Sequence, residues 1–296
     1  EIITTPFTFV ASSSALIWNN LKPKFVDIEL DSFNIDYKQI EKSINSNTVG
    51  ILGVHSYGNP CNINELKRIS EKNKLGLIFD GAAAFGSIVN KKTILREGDC
   101  SVVSFHATKI LNTFEGGAVV SSNKKLKMKI DKLKNFGMNE NGSLNDLGIN
   151  GKLSEFNSML GILQLKNINE IIDKRKILAK IYNKHLSQCE YIDIPNFLYS
   201  DNYNYSYYPI LIKQSSYKNR NQIYDELCKE GIFCKKYYNP LISEIESISK
   251  NYNETNLPIA KYIAENIICL PLYPDLTIRD QERVFKTLIN IIYSKN

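Results

Sequence analysis

The sequence predicts an α/β fold, with a mostly parallel sheet in a large first part and a smaller α+β part at the C-terminal end. Two observations carry this prediction. The first half alternates short, near-continuously apolar runs with amphipathic stretches, the pattern of strands buried on both faces and joined by helices. The texture then changes: one long helical stretch opens near Ser154, and the strands and helices after about residue 190 no longer alternate in that way. The expected division is a large domain over residues 1–175 and a small one over 176–296.

The elements follow in order. Glu1-Ile2-Ile3-Thr4-Thr5-Pro6 reads as the tail of a strand with no initiator methionine before it, so the N-terminal part of the large domain is expected to lie upstream. Residues 24–28, 48–54, 75–80, 101–105 and 118–121 read as strands, and residues 62–73 as a helix with Ile63, Leu66 and Ile69 on one face. In residues 124–134, Leu126, Ile130 and Leu133 fall at helical spacing with lysines between them, a solvated helix face rather than a nucleic-acid patch. Ser154 before Glu155 is an N-cap for the long helix, whose apolar side carries Phe156, Leu160, Leu163, Ile171, Ile172 and Leu178. Beyond it, residues 205–212 and 231–238 read as strands, and residues 217–229, 258–267 and 279–293 as helices, the last capped by Thr277.

Composition narrows the function. With 43% hydrophobic and 23% charged residues, no low-complexity tract and no apolar run near the roughly 18 residues of a membrane span, neither a disordered chain nor a bilayer protein is expected. The net charge of +6 is spread along the chain and suits an anionic small substrate better than a nucleic acid. Six cysteines are scattered without a paired spacing, and His55, His106 and His185 stand at no metal-ligand spacing, so a metal site is not expected. Reduced thiols and a cytoplasmic location follow.

Two residues carry the chemistry. The apolar run 75–80 ends in Asp80, and the run 101–105 leads into His106-Ala107-Thr108-Lys109. Ligands of open α/β sheets bind outside the carboxyl ends of strands, so an acid and an amine meet at one sheet edge. That pair is what pyridoxal phosphate chemistry needs: the lysine holds the aldehyde as a Schiff base, and the aspartate keeps the ring nitrogen protonated.

Around this pair an ordered series of motifs appears. It comprises Pro6-Phe7-Thr8-Phe9-Val10-Ala11, Phe25-Val26-Asp27-Ile28, Val54-His55-Ser56-Tyr57-Gly58-Asn59-Pro60, Asp80-Gly81-Ala82-Ala83, Ser104 to Lys109, Glu115-Gly116-Gly117 and Gly148-Ile149-Asn150-Gly151-Lys152-Leu153-Ser154-Glu155. The chain thereby resembles the nucleotide-sugar aminotransferase family, pyridoxal phosphate enzymes of the aspartate aminotransferase fold. The resemblance runs to about residue 180 and reappears in Leu270-Pro271-Leu272-Tyr273-Pro274. It implies that Lys109 is the Schiff-base lysine, Asp80 the partner of the ring nitrogen, Phe9 the aromatic stacked on the ring, Ser104 a phosphate ligand, and Asn150 a residue reaching the phosphate of the neighbouring subunit of a homodimer. The alternative reading of Phe9 is a core phenylalanine.

Two departures accompany the resemblance. Ala83 stands where the family usually has Gln or His beside the ring hydroxyl, and the family's Gly-Thr helix start, whose amides bind phosphate, is not found in the chain. His106, within Phe105-His106-Ala107-Thr108-Lys109, resembles the branch that aminates C4 of a nucleotide 4-keto-6-deoxyhexose, nearest the dTDP-4-amino-4,6-dideoxyglucose transaminases. It is a candidate substrate contact or a histidine that satisfies local backbone. The implied reaction is ping-pong transfer from glutamate to a nucleotide-linked keto-sugar, with Lys109 as proton carrier. A 3-aminotransferase, or a truncated relative that only binds nucleotide sugar, remains open. Lys109 argues against the related dehydratases that carry histidine there, and no Gly-x-Gly-x-x-Gly follows a strand, which argues against a nicotinamide dehydrogenase.

Overall fold

A computed structural model describes residues 1–252 and 256–294. The first sheet is built from β1 (Ile2–Thr4), β2 (Pro23–Phe25), β3 (Gly50–Val54), β4 (Gly76–Asp80), β7 (Cys100–Ser104) and β8 (Gly117–Val120). A small hairpin of β5 (Ile88–Val89) and β6 (Lys92–Thr93) lies between the fourth and seventh strands in sequence. The six-stranded order is β2-β1-β3-β4-β7-β8, and only β8 runs antiparallel to its neighbour. The mostly parallel α/β sheet expected from the sequence is therefore what forms.

Helices of the first part are α1 (Ala11–Trp18), α2 (Tyr37–Ser43), α3 (Ile63–Asn73) and α4 (Lys124–Leu133), followed by the long α5 (Glu155–Leu186). Asn62 caps α3 by accepting the Glu65 amide, and Ser154, the cap expected from the sequence, accepts the Asn157 amide. Leu66 and Ile69 of α3 pack with Ile3, Ile51, Leu77, Phe79 and Val103 into one core on one face of the sheet. α4 buries none of its residues, so its lysine-rich surface is solvated on every side but one.

The opposite sheet face departs from expectation. Ile78, Val102 and Val119 are 41%, 45% and 44% exposed, so β4, β7 and β8 are covered on one face only. Because side chains alternate along a strand, Asp80 and Ser104 share this open face with Ile78 and Val102, while Leu77, Phe79 and Val103 point into the core.

The C-terminal part carries a three-stranded antiparallel sheet of β9 (Ile192–Asp193), β10 (Tyr208–Ile212) and β11 (Ile267–Leu270), ordered β11-β10-β9. It carries α6 (Arg220–Lys229), α7 (Glu246–Ser249), α8 (Pro258–Asn266) and α9 (Ile278–Tyr293), the last capped by Thr277 through the Asp280 amide. A second core joins Leu178, Tyr182 and Leu186 of α5 to these strands and helices, and also to Phe7, Phe25, Phe33 and Tyr57 from the first part. The strand expected over residues 231–238 does not form. Only Lys235 bridges to Cys269, and the segment otherwise runs as coil past the cis Tyr237–Tyr238 peptide. Among the described residues, no helix is long and apolar enough to cross a membrane.

Candidate active site

Four parallel strands run their carboxyl ends to one edge, and each delivers a residue that the sequence singles out. Phe9 follows β1, the segment His55-Ser56-Tyr57 follows β3, Asp80 ends β4 and Ser104 ends β7. The sheet order reverses between β1 and β3, the switch point at which open α/β sheets take ligands.

Asp80 is half-buried, and its two carboxylate oxygens are held separately. Oδ1 accepts the Ala82 amide at 2.9 Å, and Oδ2 accepts the Ser12 hydroxyl at 2.7 Å. An ionised carboxylate has about four acceptor positions, so capacity remains for a further donor. Lys109 lies in the turn after β7, where its amide donates to the His106 carbonyl at 2.9 Å. Its Nζ is 6.0 Å from the centroid of the Tyr207 ring. Burial pushes the Lys109 ammonium below the ordinary lysine value, and the Asp80 carboxylate pulls it back up. The two groups therefore feel one another's field.

Phe9 is 61% exposed, which rules out the core reading of this side chain. Ser104 Oγ accepts the His106 amide at 3.3 Å, which leaves its own proton free to donate. His106 is exposed; its Nδ1 lies 2.9 Å from Thr108 Oγ1 and its Nε2 3.8 Å from Glu115 Oε1. The Glu115-Gly116-Gly117 motif has a steric cause. Gly116 sits at φ +142°, and a side chain on Gly117 would come within 2.7 Å of the Val103 carbonyl as β8 leaves the turn beside Ser104. Asn150 stands apart. Its Oδ1 accepts Lys152 Nζ at 2.7 Å in an exposed loop, and no hydrogen bond among the described residues links it to Asp80, Ser104 or Lys109.

Further residues at the site carry no sequence signal of their own. Tyr207 lies beside the Lys109 amine, and a cleft of about 150 Å³ is lined by Thr108, Arg175, Tyr207, Lys235 and Leu272 among others. Arg175 is buried and donates through one terminal nitrogen to the carbonyls of Tyr205, Ser206 and Leu272, without a carboxylate partner among the described residues. At Ala83 the side chain brings nothing polar. Its carbonyl instead accepts Asn204 Nδ2 at 2.6 Å and Ser206 Oγ at 2.7 Å. His55, from the His55-Ser56-Tyr57 segment, is wholly buried and stacked on Phe79 with centroids 4.7 Å apart, and it has no part in the open face.

Known proteins are similar to this chain along nearly its whole length. A family model described as the DegT/DnrJ/EryC1/StrS aminotransferase family matches residues 1–289. A dTDP-4-amino-4,6-dideoxy-D-glucose transaminase of Escherichia coli is 41% identical over 98% of this chain and 79% of its own length. Among solved structures, DesI in the presence of its TDP-sugar product is 30% identical, with a TM-score of 0.91 over 99% of this chain and 75% of that one. PseC of Helicobacter pylori, an aminotransferase involved in the biosynthesis of pseudoaminic acid, is 29% identical, with a TM-score of 0.94 over 98% of this chain and 79% of that one.

Proposed function

The chain belongs to the DegT/DnrJ/EryC1/StrS aminotransferase family of pyridoxal phosphate enzymes, and from that premise we propose that it moves an amino group from glutamate to C4 of a nucleotide-linked 4-keto-6-deoxyhexose. One observation carries the reading: a half-buried lysine and a carboxylate with spare acceptor capacity are delivered to the carboxyl edge of adjacent parallel strands.

The residues present fit the cofactor. Asp80 would take the ring nitrogen, the exposed Phe9 ring would supply a stacking surface, Ser104 has a free proton to offer the phosphate, and Lys109 would supply the amine. Bound there, pyridoxal phosphate supplies an aldehyde that takes up the amino group and a ring that spreads carbanion charge. Lys109 Nζ would carry the proton from the donor's α-carbon to the cofactor carbon that receives the amino group, and in the second half-reaction would make the same transfer in reverse, onto the sugar carbon that becomes aminated. Its desolvation favours the neutral amine that this work requires. Asp80 would keep the ring proton in place throughout. Arg175 and Lys235 give the neighbouring cleft the positive charge that suits anionic substrates.

Similarity to a dTDP-sugar transaminase and to DesI favours thymidine diphosphate as the nucleotide. His106, five residues beyond Ser101 on the turn that carries Lys109, is assigned to the sugar. Asn150 is assigned to the phosphate of a partner subunit in a homodimer, which accounts for its separation from the other site residues within one chain. The residues from 176 onward are assigned to a small domain. The reaction is placed in the cytoplasm, in keeping with six unpaired cysteines.

The test is product identity. Protein loaded with pyridoxal phosphate is given glutamate and a panel of nucleotide 3-keto- and 4-keto-sugars, and the products are read by mass spectrometry and NMR. Amination at C4 with stoichiometric 2-oxoglutarate supports the reading. Amination at C3, or no transfer from a chain that borohydride nevertheless fixes to the cofactor, refutes it.

A further inference from the structure

Asp80 is not held by its own backbone alone. Ser12, in the first turn of α1, donates its hydroxyl to Asp80 Oδ2 at 2.7 Å, and Thr8 Oγ1 lies 3.0 Å from Ser12 Oγ. Both hydroxyl residues are buried. A serine has one proton to give, and it is committed to a carboxylate that can only accept. The Thr8 hydroxyl is therefore the donor to Ser12, and the chain of protons runs in one direction, from Thr8 through Ser12 to Asp80.

We propose that Ser12 and Thr8 are positioning residues that keep the ring proton of the cofactor on its nitrogen, an inference that rests on Asp80 being the partner of that nitrogen. A proton shared between a carboxylate and a pyridine nitrogen rests on the more basic of the two. Each donor aimed at the carboxylate stabilises its anion and makes it the weaker base, and donors in series polarise one another in a buried setting. The Ala82 amide supplies one such donor at Oδ1, and the Ser12–Thr8 pair supplies the other at Oδ2.

The role belongs to position 12 and not to serine in general. Ser12, Ser13 and Ser14 follow one another, yet only Ser12 reaches Asp80, and the buried Ser13 hydroxyl has no partner among the described residues. The Ser12 contact spans 68 residues of sequence and ties the start of α1, which follows β1, to the end of β4, across the intervening β3.

The experiment loads the protein with pyridoxal phosphate labelled with nitrogen-15 in the ring and follows the nitrogen chemical shift against pH. In the native chain the shift is that of a protonated ring. Ser12→Ala is expected to move it toward the unprotonated value at neutral pH, with about a tenfold change in the ratio of ring-protonated to ring-unprotonated forms. Thr8→Val moves it less and in the same direction, and Ser12→Thr, which keeps the hydroxyl, restores the native profile. Asp80→Asn is the control. If it moves the shift while Ser12→Ala and Thr8→Val leave the native profile, the relay is overturned and the role of Asp80 stands. If Asp80→Asn leaves the profile unchanged, the role of Asp80 fails and the relay falls with it.

Discussion

The carboxylate of Asp27 caps α8 from more than 200 residues away in sequence: its Oδ1 accepts the amide of Ala260 at 2.8 Å and its Oδ2 that of Ile259 at 2.9 Å. It also accepts the Ile28 amide at 2.9 Å, and its side chain is buried. α8 begins at Pro258 and has no side-chain cap from its own N-cap residue, Leu257, so the first-turn amides depend on this distant acid. Asp27→Ala leaves buried amides without acceptors and is expected to cost about 2–4 kcal/mol. Asp27→Asn, which keeps one acceptor oxygen, should lie between the variant and the native chain. Denaturant midpoints measured on cofactor-loaded protein check the order; equal midpoints for all three would contradict the cap.

Lys109 links function to stability with opposite signs. Burial holds its ammonium below the ordinary lysine value of 10.5. Between the lowered value and 10.5 the unfolded chain binds a proton that the folded cofactor-free chain does not, so stability rises with pH through that window and is lower beneath it. Lys109→Met is expected to flatten this slope and raise the thermal midpoint of the cofactor-free protein at neutral pH. The same substitution, like Lys109→Ala, should remove both the visible absorbance of lysine-bound cofactor and turnover. Turnover that survives would refute the assignment.

His55 predicts a separate loss in acid. Burial pushes its imidazole down to about 3, from an ordinary value of 6.5. Its Nδ1 accepts the Cys61 amide at 3.1 Å, so the neutral ring is the one that folds. As pH falls from 6.5 toward 3 the unfolded chain takes up a proton that the folded chain refuses, and stability declines by at most about 1.4 kcal/mol per pH unit. His55→Gln keeps an acceptor for the amide and removes the titration. Urea midpoints across this range should fall less steeply in the variant, and parallel slopes would show that other groups govern the acid limit.

Much of this architecture is written in local sequence, and what is not has physical reasons. The helices α3, α5 and α9 announce themselves because Asn62, Ser154 and Thr277 cap amphipathic runs. Asp80 and Lys109 are legible because each closes or follows an apolar strand. α1 is not, since Ala11-Ser12-Ser13-Ser14 has neither cap nor period, and the helix is held by tertiary contacts such as the one from Ser12 to Asp80. α2 carries a readable signal in Asp36, which accepts the Lys38 amide as its N-cap. Residues 231–238 have strand-like composition but too little partner strand, pairing only at Lys235. Tyr207 and Arg175 reach the site through long-range packing, which no local pattern encodes.

The first half of α5 bears on the proposed sharing of the site between subunits. Phe156, Met159, Ile162 and Leu163 are 65%, 56%, 61% and 51% exposed, and this apolar surface follows directly on the loop that carries Asn150. Exposed apolar surface of this extent suits association, and the proposed homodimer would close over it. If Asn150 serves the partner's site, Asn150→Ala and Lys109→Ala subunits are each inactive alone. A mixed dimer then places both defects in one site and leaves the other intact. Random re-association makes about half the dimers mixed, each with one working site of two, so about a quarter of native activity should return. Ile162→Glu in both subunits should lower the mass seen by light scattering and abolish this recovery. Mixtures that stay inactive while mixed dimers are demonstrably formed would assign Asn150 to its own chain.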